Sequence, residues 1–478
     1  MINSLSCYLN CLEDVTATFK PLNAIDTTEY FDIFECVMAL THEYLTDNIN
    51  MMANPYFHTI IWDEIYDILS IQCAHLLIND KIEMELQNVI NNALTEYFTT
   101  VIPRRSYSKT FIRSTNINID ALTSKLEYLR NVPQPAQRTG EWYEFRYNLL
   151  TASTAWKALD TPSTYNSLIY EKCQPLNIDK YNHVNTSSPF HHGTIYEPIS
   201  IAIYEKKYGT TVEDFGCIKD ERLPFLGASP DGINVNPAST RYGRMLEVKN
   251  IVNRVIDGVP KKEYWIQMQI QMNVCQLNEC DFLETKFTEY ENKEAFTQDG
   301  SFRKSRDRKL KGVFIYFIKD GKPYYEYPPI GLSEKDFNKW EAEIMEKNKT
   351  LTWNRNIYWK LDIYSCVLVL RNKVWFNYAS GILAEIWNTI EKERISGHEH
   401  RAPKRTKKKP FESPQIKPFT GCLLKIESDN IILNPEAKCN IGTDETSTND
   451  PGAINNARII EVKTETLSSS SDGFNTEY

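Results

Sequence analysis

The segments Ser229-Pro-Asp-Gly232 and Arg244-Met-Leu-Glu-Val-Lys249 decide how this chain folds. Residues 234–243 between them are rich in Asn, Pro, Ser, Thr and Gly, the composition of a hairpin connection. Asp231 is therefore expected to end one strand and Glu247 to lie on the next. Side chains alternate along a strand, so Glu247 and Lys249 project from one face while Val248 points into the core. Two carboxylates brought close together resist ionisation. A hard divalent cation relieves this, and Mg²⁺ takes oxygen from one or two carboxylates, leaving its other positions to water and phosphate. A charged lysine cannot ligate, but it can orient a water or help remove its proton. The arrangement asks for a phosphodiester, although the bare motif would also suit a surface hairpin with its charges in solvent.

The flanks add to this. His192-Gly-Thr-Ile-Tyr-Glu-Pro198 opens a helical stretch that runs on through Ile201, Ile203, Tyr204 and Tyr208, and its Glu197 is placed to deliver a third carboxylate to the sheet edge. Upstream, Glu141-Trp-Tyr-Glu-Phe-Arg146 leads into Leu150-Thr-Ala-Ser153 and a short helix. Downstream, Tyr264-Trp-Ile-Gln-Met-Gln-Ile-Gln-Met272 reads two ways. Its Gln/apolar alternation suits a strand, whereas Trp265, Met268, Met272 and Cys275 make a helical stripe, and the length favours helix.

Pro-Asp followed by Glu-x-Lys resembles the PD-(D/E)xK nuclease superfamily. In order, Trp142-x-x-x-Arg146 with Thr151-Ala-Ser153, Gly193-x-x-x-Glu197, Ser229-Pro-Asp-Gly232, Leu246-Glu-Val-Lys249 and Tyr264-x-x-Gln267-x-Gln269 resemble the YqaJ viral recombinase family, which includes bacteriophage lambda exonuclease. The likeness covers residues 138–290, about a third of the chain. Tyr358-Trp-Lys-Leu361, with Arg371, Trp375 and a helix around Trp387, is similar to extended members found in large DNA viruses.

The resemblance implies Mg²⁺ (or Mn²⁺), one or two ions, held by Asp231, Glu247, the Val248 carbonyl and Glu197. It implies that Lys249 positions the attacking water and that Gln267 closes the site, with Gln269 and Gln271 open to confusion with it by register. It also implies that Arg146 receives a terminal 5′-phosphate, with Ser153 nearby. A fork-shaped guanidinium suits bidentate phosphate binding, though a surface arginine at a helix end is the plainer alternative. The activity implied is a 5′→3′ exonuclease on duplex DNA serving viral recombination or repair. The alternatives are a structure-specific endonuclease with the same site, or a non-catalytic DNA-binding virion protein. Partners implied are duplex DNA ends, a single-strand annealing protein and a homo-oligomer, a trimer by resemblance. The location implied is host cytoplasm, nucleus or virion.

Composition fits an intracellular, soluble chain. Its 478 residues carry a net charge of −9 and are 41% hydrophobic and 12% aromatic, so a wholly disordered chain is excluded. No window approaches the length of a membrane span, and the N-terminus lacks a signal-peptide pattern. The 11 cysteines are scattered without a Cys-x-x-Cys pair, against a disulfide scaffold or zinc ribbon. His191-His192 has no matching zinc partners. No P-loop lysine motif occurs, which argues against ATP-driven unwinding within this chain.

Residues 1–130, with 8 basic and 17 acidic residues, read as a helical N-terminal domain, with amphipathic spacing over 29–45 and 60–77. Residues 131–140 read as a linker. In 141–400 the pattern predicts helices at 141–149, 152–159, 192–208, 261–276, 333–348 and 379–394. It predicts strands at 212–219, 244–250, 280–287, 312–318 and 323–327. The fold class is α/β (α+β), a restriction-endonuclease-like core with a central mixed sheet flanked by helices. Arg303, Lys304 and Arg306, in a run that continues to Lys311, are candidate DNA-backbone contacts. Residues 401–478 read as a mostly disordered tail, opening with a basic cluster at 401–409 that suits a nuclear signal, a nucleic-acid handle or a solvated charge run.

Overall fold

The computed structural model describes residues 25–73, 80–113, 118–178, 186 and 188–403. The expected tail beyond 403, with most of its basic cluster, lies outside the described residues, as does the end of the helix expected at 60–77. Among the described residues no helix is long and apolar enough to cross a membrane.

The described chain opens with helices α1 (Thr27–Asp47), α2 (Phe57–Gln72), α3 (Asp80–Thr100) and α4 (Ile119–Arg130). Asp26 starts α1 by accepting the Thr28 and Glu29 N–H groups, while the Glu29 carboxylate accepts the Asp26 N–H. This reciprocal box satisfies amides that the first turn would otherwise leave unpaired. There follow α5 (Gly140–Tyr147), β1 (Leu150–Thr151), α6 (Ala152–Ala155), α7 (Pro162–Cys173) and α8 (Pro189–Tyr208). Next come β2 (Val212–Glu213), β3 (Ile218–Lys219), β4 (Leu226–Ala228), β5 (Gly232–Asn234), β6 (Met245–Asn250), α9 (Lys262–Cys275) and β7 (Glu279–Glu289). The last elements are α10 (Lys293–Gln298), β8 (Lys311–Lys319), β9 (Lys322–Glu326), α11 (Glu334–Lys347), β10 (Thr352–Leu370) and α12 (Lys373–Ser396).

The main sheet has the order β2-β5-β6-β7-β10-β8-β9. It is mixed, since β6 and β7 run parallel and the other neighbours antiparallel. A small sheet, β1-β4-β3, sits beside it. The expected mixed sheet flanked by helices is therefore present, with three corrections. The run at 212–219 is two short strands in different sheets, β2 and β3. Asp231 does not end a strand: it precedes β5, in the turn after β4. A Cβ at Gly232 would overlap the Val212 side chain, so close packing of β2 favours glycine after Asp231. The last helix begins at Lys373, earlier than expected, because the Asn372 side chain caps it by accepting the Trp375 N–H at 2.9 Å.

The two faces of β6 divide the core. Leu246 and Val248 pack with Tyr204 of α8 and Leu283 of β7. The opposite face, with Met245, Glu247 and Lys249, looks toward α9, which is buried almost all round between the sheet, α12 and the N-terminal helices. Ile33, Phe57 and Leu86 of that helical region share one continuous core with Trp265 and Trp375. The chain after α3 secures the join: Trp265 Nε1 donates to the Arg105 carbonyl at 2.7 Å, and Arg105 Nη2 donates to the Pro260 carbonyl at 2.5 Å. Beyond Lys360, β10 is no longer paired with β8, and the Tyr107 and Thr110 N–H groups donate to Leu368 and Cys366 along that open edge. Covering it removes a pairing liability.

Candidate active site

Strand register brings the acids together. Gly232 lies opposite Leu246 and Ile233 opposite Met245, so continuing the ladder one step sets Asp231 level with Glu247. The Asp231 carboxylate accepts the Val248 N–H at 2.7 Å. A strand residue points its N–H and C=O to the same side, so the Val248 carbonyl also faces Asp231, where β5 pairing has ended.

Glu247 is fully buried and held by three donors. Lys249 Nζ and Gln267 Nε2 both donate to Oε1, the latter at 2.7 Å, and Gln271 Nε2 donates to Oε2 at 2.7 Å. Gln267 and Gln271 stand one turn apart on α9, which puts both on the same helix face. Gln269 points away, donating to the Leu370 carbonyl and accepting the Asn372 N–H. The helical reading of this segment is the one realised. Gln271, expected only as a register alternative to Gln267, holds Glu247 together with it, and the helical period of the run is the signal that pairs the two.

Glu197 comes from α8. Ser188 caps this helix, Pro189 occupies its first turn, and Gly209 ends it at φ +59°. Pro198 within it cannot supply the N–H that the Thr194 carbonyl would receive, so the helix is weakened beside Glu197. Burial, and then the charge of Glu247, raise the Glu197 carboxyl above its ordinary range. Burial followed by Glu247 raises Asp231 well above its own. For Lys249, burial alone would depress the ammonium, but Glu247 and Asp231 outweigh it and the group is raised. Ionised together, three acids beside one ammonium would hold an excess of negative charge, which a hard cation relieves. Among the described residues no set of three or more His, Cys, Asp or Glu side chains is gathered closely enough to hold an ion by itself. The donor set that fits is two carboxylates with a backbone carbonyl, completed by water or phosphate oxygen.

Arg146, in the last turn of α5, donates through Nη1 to Ser229 Oγ at 2.9 Å, and its guanidinium lies 4.7 Å from the Trp142 ring. Ser229 enters the sequence reading only as part of the Ser-Pro-Asp-Gly turn, with no role of its own. It stands two residues before Asp231, so this bond seats the arginine beside the acids. Lys172 Nζ braces the end of α5, donating to the carbonyls of Arg146 at 3.1 Å and Leu149 at 2.6 Å. Thr151 of β1 is level with Gly227 of β4, so Ser153 and Ser229 leave the same end of the small sheet. Ser153 is exposed, its hydroxyl 3.4 Å from that of Thr151.

On the far side of Lys249, its amine lies 5.2 Å from the centre of the Tyr264 ring and the Arg254 guanidinium lies 5.6 Å from it. Arg254 is ion-paired with Glu284, the strand partner of Lys249 on β7. Arg303, Lys304 and Arg306 are exposed on the loop before β8. Lys311 pairs with Lys360, which pairs with Thr288, four positions beyond Glu284. That loop therefore leaves the end of the sheet toward which β6 carries Lys249, without touching the acids. His191 Nε2 shares a 2.7 Å hydrogen bond with the Tyr325 hydroxyl. Arg401 is ion-paired with Glu393 of α12 and donates to Asn166 at 2.9 Å, so it is tied to the fold.

The chain is similar to known proteins over part of its length. A protein of Acanthamoeba polyphaga mimivirus, named uncharacterized protein R354, is 28% identical over 312 residues, covering 56% of this chain and 54% of that protein. The chain thus spans about half the length of this relative. Two solved structures of the alkaline exonuclease LHK-Exo from Laribacter hongkongensis, one in complex with dAMP, are 17% and 18% identical; each alignment covers 55% of this chain and 98% of theirs, with TM-scores of 0.33. Residues 141–290 match the family model of the YqaJ-like viral recombinase domain. That match runs from α5 to β7 and takes in Arg146, Glu197, Asp231, Glu247, Lys249 and Gln267, so this part of the chain is similar to a YqaJ-like viral recombinase domain.

Proposed function

We propose that the chain is a metal-dependent deoxyribonuclease that degrades duplex DNA from its ends, 5′→3′, in recombination or repair. The observation that carries this is the convergence of Asp231, Glu247 and Lys249 on one spot, with Arg146 seated beside it through Ser229. A bare surface hairpin would not bury Glu247 fully and surround it with three donors.

Asp231, Glu247 and the Val248 carbonyl would hold Mg²⁺ or Mn²⁺, with Glu197 close by. The ion supplies Lewis-acid activation of water and neutralises charge developing on the phosphate. Lys249 keeps its proton, because the acids beside it outweigh burial and raise the ammonium. Its role is therefore to donate to and orient the attacking water, not to remove the water's proton. Gln267 and Gln271 fix Glu247, and because both are buried side chains on a packed helix they hold it with little freedom. Arg146 offers a planar fork to a terminal phosphate, with the Ser229 hydroxyl beside it. Such an anchor fixes the chain end at the acids and so gives direction.

The test is to supply Mg²⁺ with linear duplexes bearing 5′-phosphate or 5′-hydroxyl ends and, separately, with closed circular duplex. Release of mononucleotides from linear DNA, faster from 5′-phosphate ends, is expected. Nicking of closed circles without mononucleotide release would replace the reading with a structure-specific endonuclease.

A further inference from the structure

We propose that the cleft between the amino end of α8 and the outer strands β8, β9 and β10 is a subsite for one nucleotide of an unpaired DNA strand. The proposal rests on the nuclease reading, since an enzyme that consumes one strand of a duplex leaves the complement unpaired beside its active site. The cleft measures about 430 Å³, within the range that small ligands fill. Its wall is aromatic: Tyr316 and Tyr325 have ring centres 5.0 Å apart at 31°, and the His191 ring lies 5.8 Å from Tyr325. Bases of any sequence stack on such faces, and only an unpaired strand has base faces to offer.

Two charges complete the lining. The Arg355 side chain is 61% exposed and stands 3.6 Å from Glu289. Glu289 also accepts the Tyr196 hydroxyl at 3.1 Å, which fixes its carboxylate at the cleft. A nucleotide brings the complement of this pair, an anionic phosphate for the guanidinium and an exocyclic amino group for the acid. The cleft is joined to the active site by the chain itself, because Val252 in its wall follows Lys249 by three residues.

The experiment uses full-length protein carrying Asp231→Asn, to silence hydrolysis, and fluorescence anisotropy with two labelled DNAs, a blunt duplex and the same duplex with a 3′ single-stranded extension. Stacking of one base on such a wall should let the extended DNA bind about tenfold more tightly. Adding Arg355→Ala or Tyr316→Ala should remove most of that advantage and leave blunt-duplex affinity unchanged. Arg355 is exposed, so its replacement keeps the fold even if the tyrosine variant does not. Equal binding of the two DNAs by the parent, or an advantage untouched by Arg355→Ala, overturns the subsite. The two readings separate cleanly: hydrolysis by unmodified protein without an extension advantage removes only the subsite. An extension advantage lost in Arg355→Ala, without hydrolysis by unmodified protein, keeps the subsite and removes the nuclease.

Discussion

Arg146 and Ser229, 83 positions apart in the chain, are joined by a 2.9 Å hydrogen bond that fixes the guanidinium beside the turn carrying Asp231. Among the described residues Arg146 makes no ion pair, so its charge is available to an incoming anion.

Replacement of Arg146 by Gln should therefore raise KM for 5′-phosphorylated ends by about tenfold or more, the worth of a charge-assisted bond, and erase the preference for phosphate over hydroxyl. Ser229→Ala should do the same more weakly. Initial rates on the two end types check this; an unchanged preference in Arg146→Gln would remove the arginine from the site.

The glutamines of α9 separate function from packing. Gln271→Ala leaves Glu247 Oε2 without its donor and should lower the hydrolytic rate by about 10–100-fold, as loss of a group that orients a ligand does. Gln269→Ala breaks the bonds to Leu370 and Asn372 and should cost ~1–3 kcal/mol of stability with little change in rate per folded molecule. Thermal melts and rates measured on both variants distinguish the two. Equal rate losses would show that the pair acts only through helix packing.

The distinction between these glutamines shows what the sequence could and could not reveal. Asp231, Glu247 and Lys249 were legible because turn residues and strand alternation are local rules. The Gln run was ambiguous because every second residue is Gln, and only the helix, with its period near four, selects 267 and 271 over 269. The 19-residue strand β10 was missed: it is interrupted by a bulge between Leu361 and Ile363, and it shows no clean alternation. Nor could local pattern reveal that the N-terminal helices and α9 share a core, since Trp265 meets Arg105 across 160 positions.

That joint carries a pH dependence of its own. His58 Nε2 accepts the Arg105 N–H at 3.0 Å, and burial, then Arg104 and Arg105, push its imidazole down to about 4. A depressed group contributes stability that is complete above its unfolded value near 6.5 and lost as pH falls through about 4. Acidification from pH 7 to 4.5 should thus cost up to ~3 kcal/mol from this residue. His58→Gln keeps an acceptor without the titration and should flatten the melting-temperature profile across that window. Parallel profiles for the two proteins would exclude His58 as the cause.

The most direct measurement compares acid-soluble nucleotide release from 5′-phosphorylated linear duplex, with Mg²⁺, by the unaltered chain and by Asp231→Asn, Glu247→Gln and Lys249→Met. The expected result is release by the unaltered chain and a loss of about a thousandfold or more in each variant, since a pre-organised charge constellation supplies several kcal/mol of transition-state stabilisation. Release at equal rates by all four proteins, or none by the folded unaltered chain, would contradict the assignment of these three side chains to phosphodiester hydrolysis.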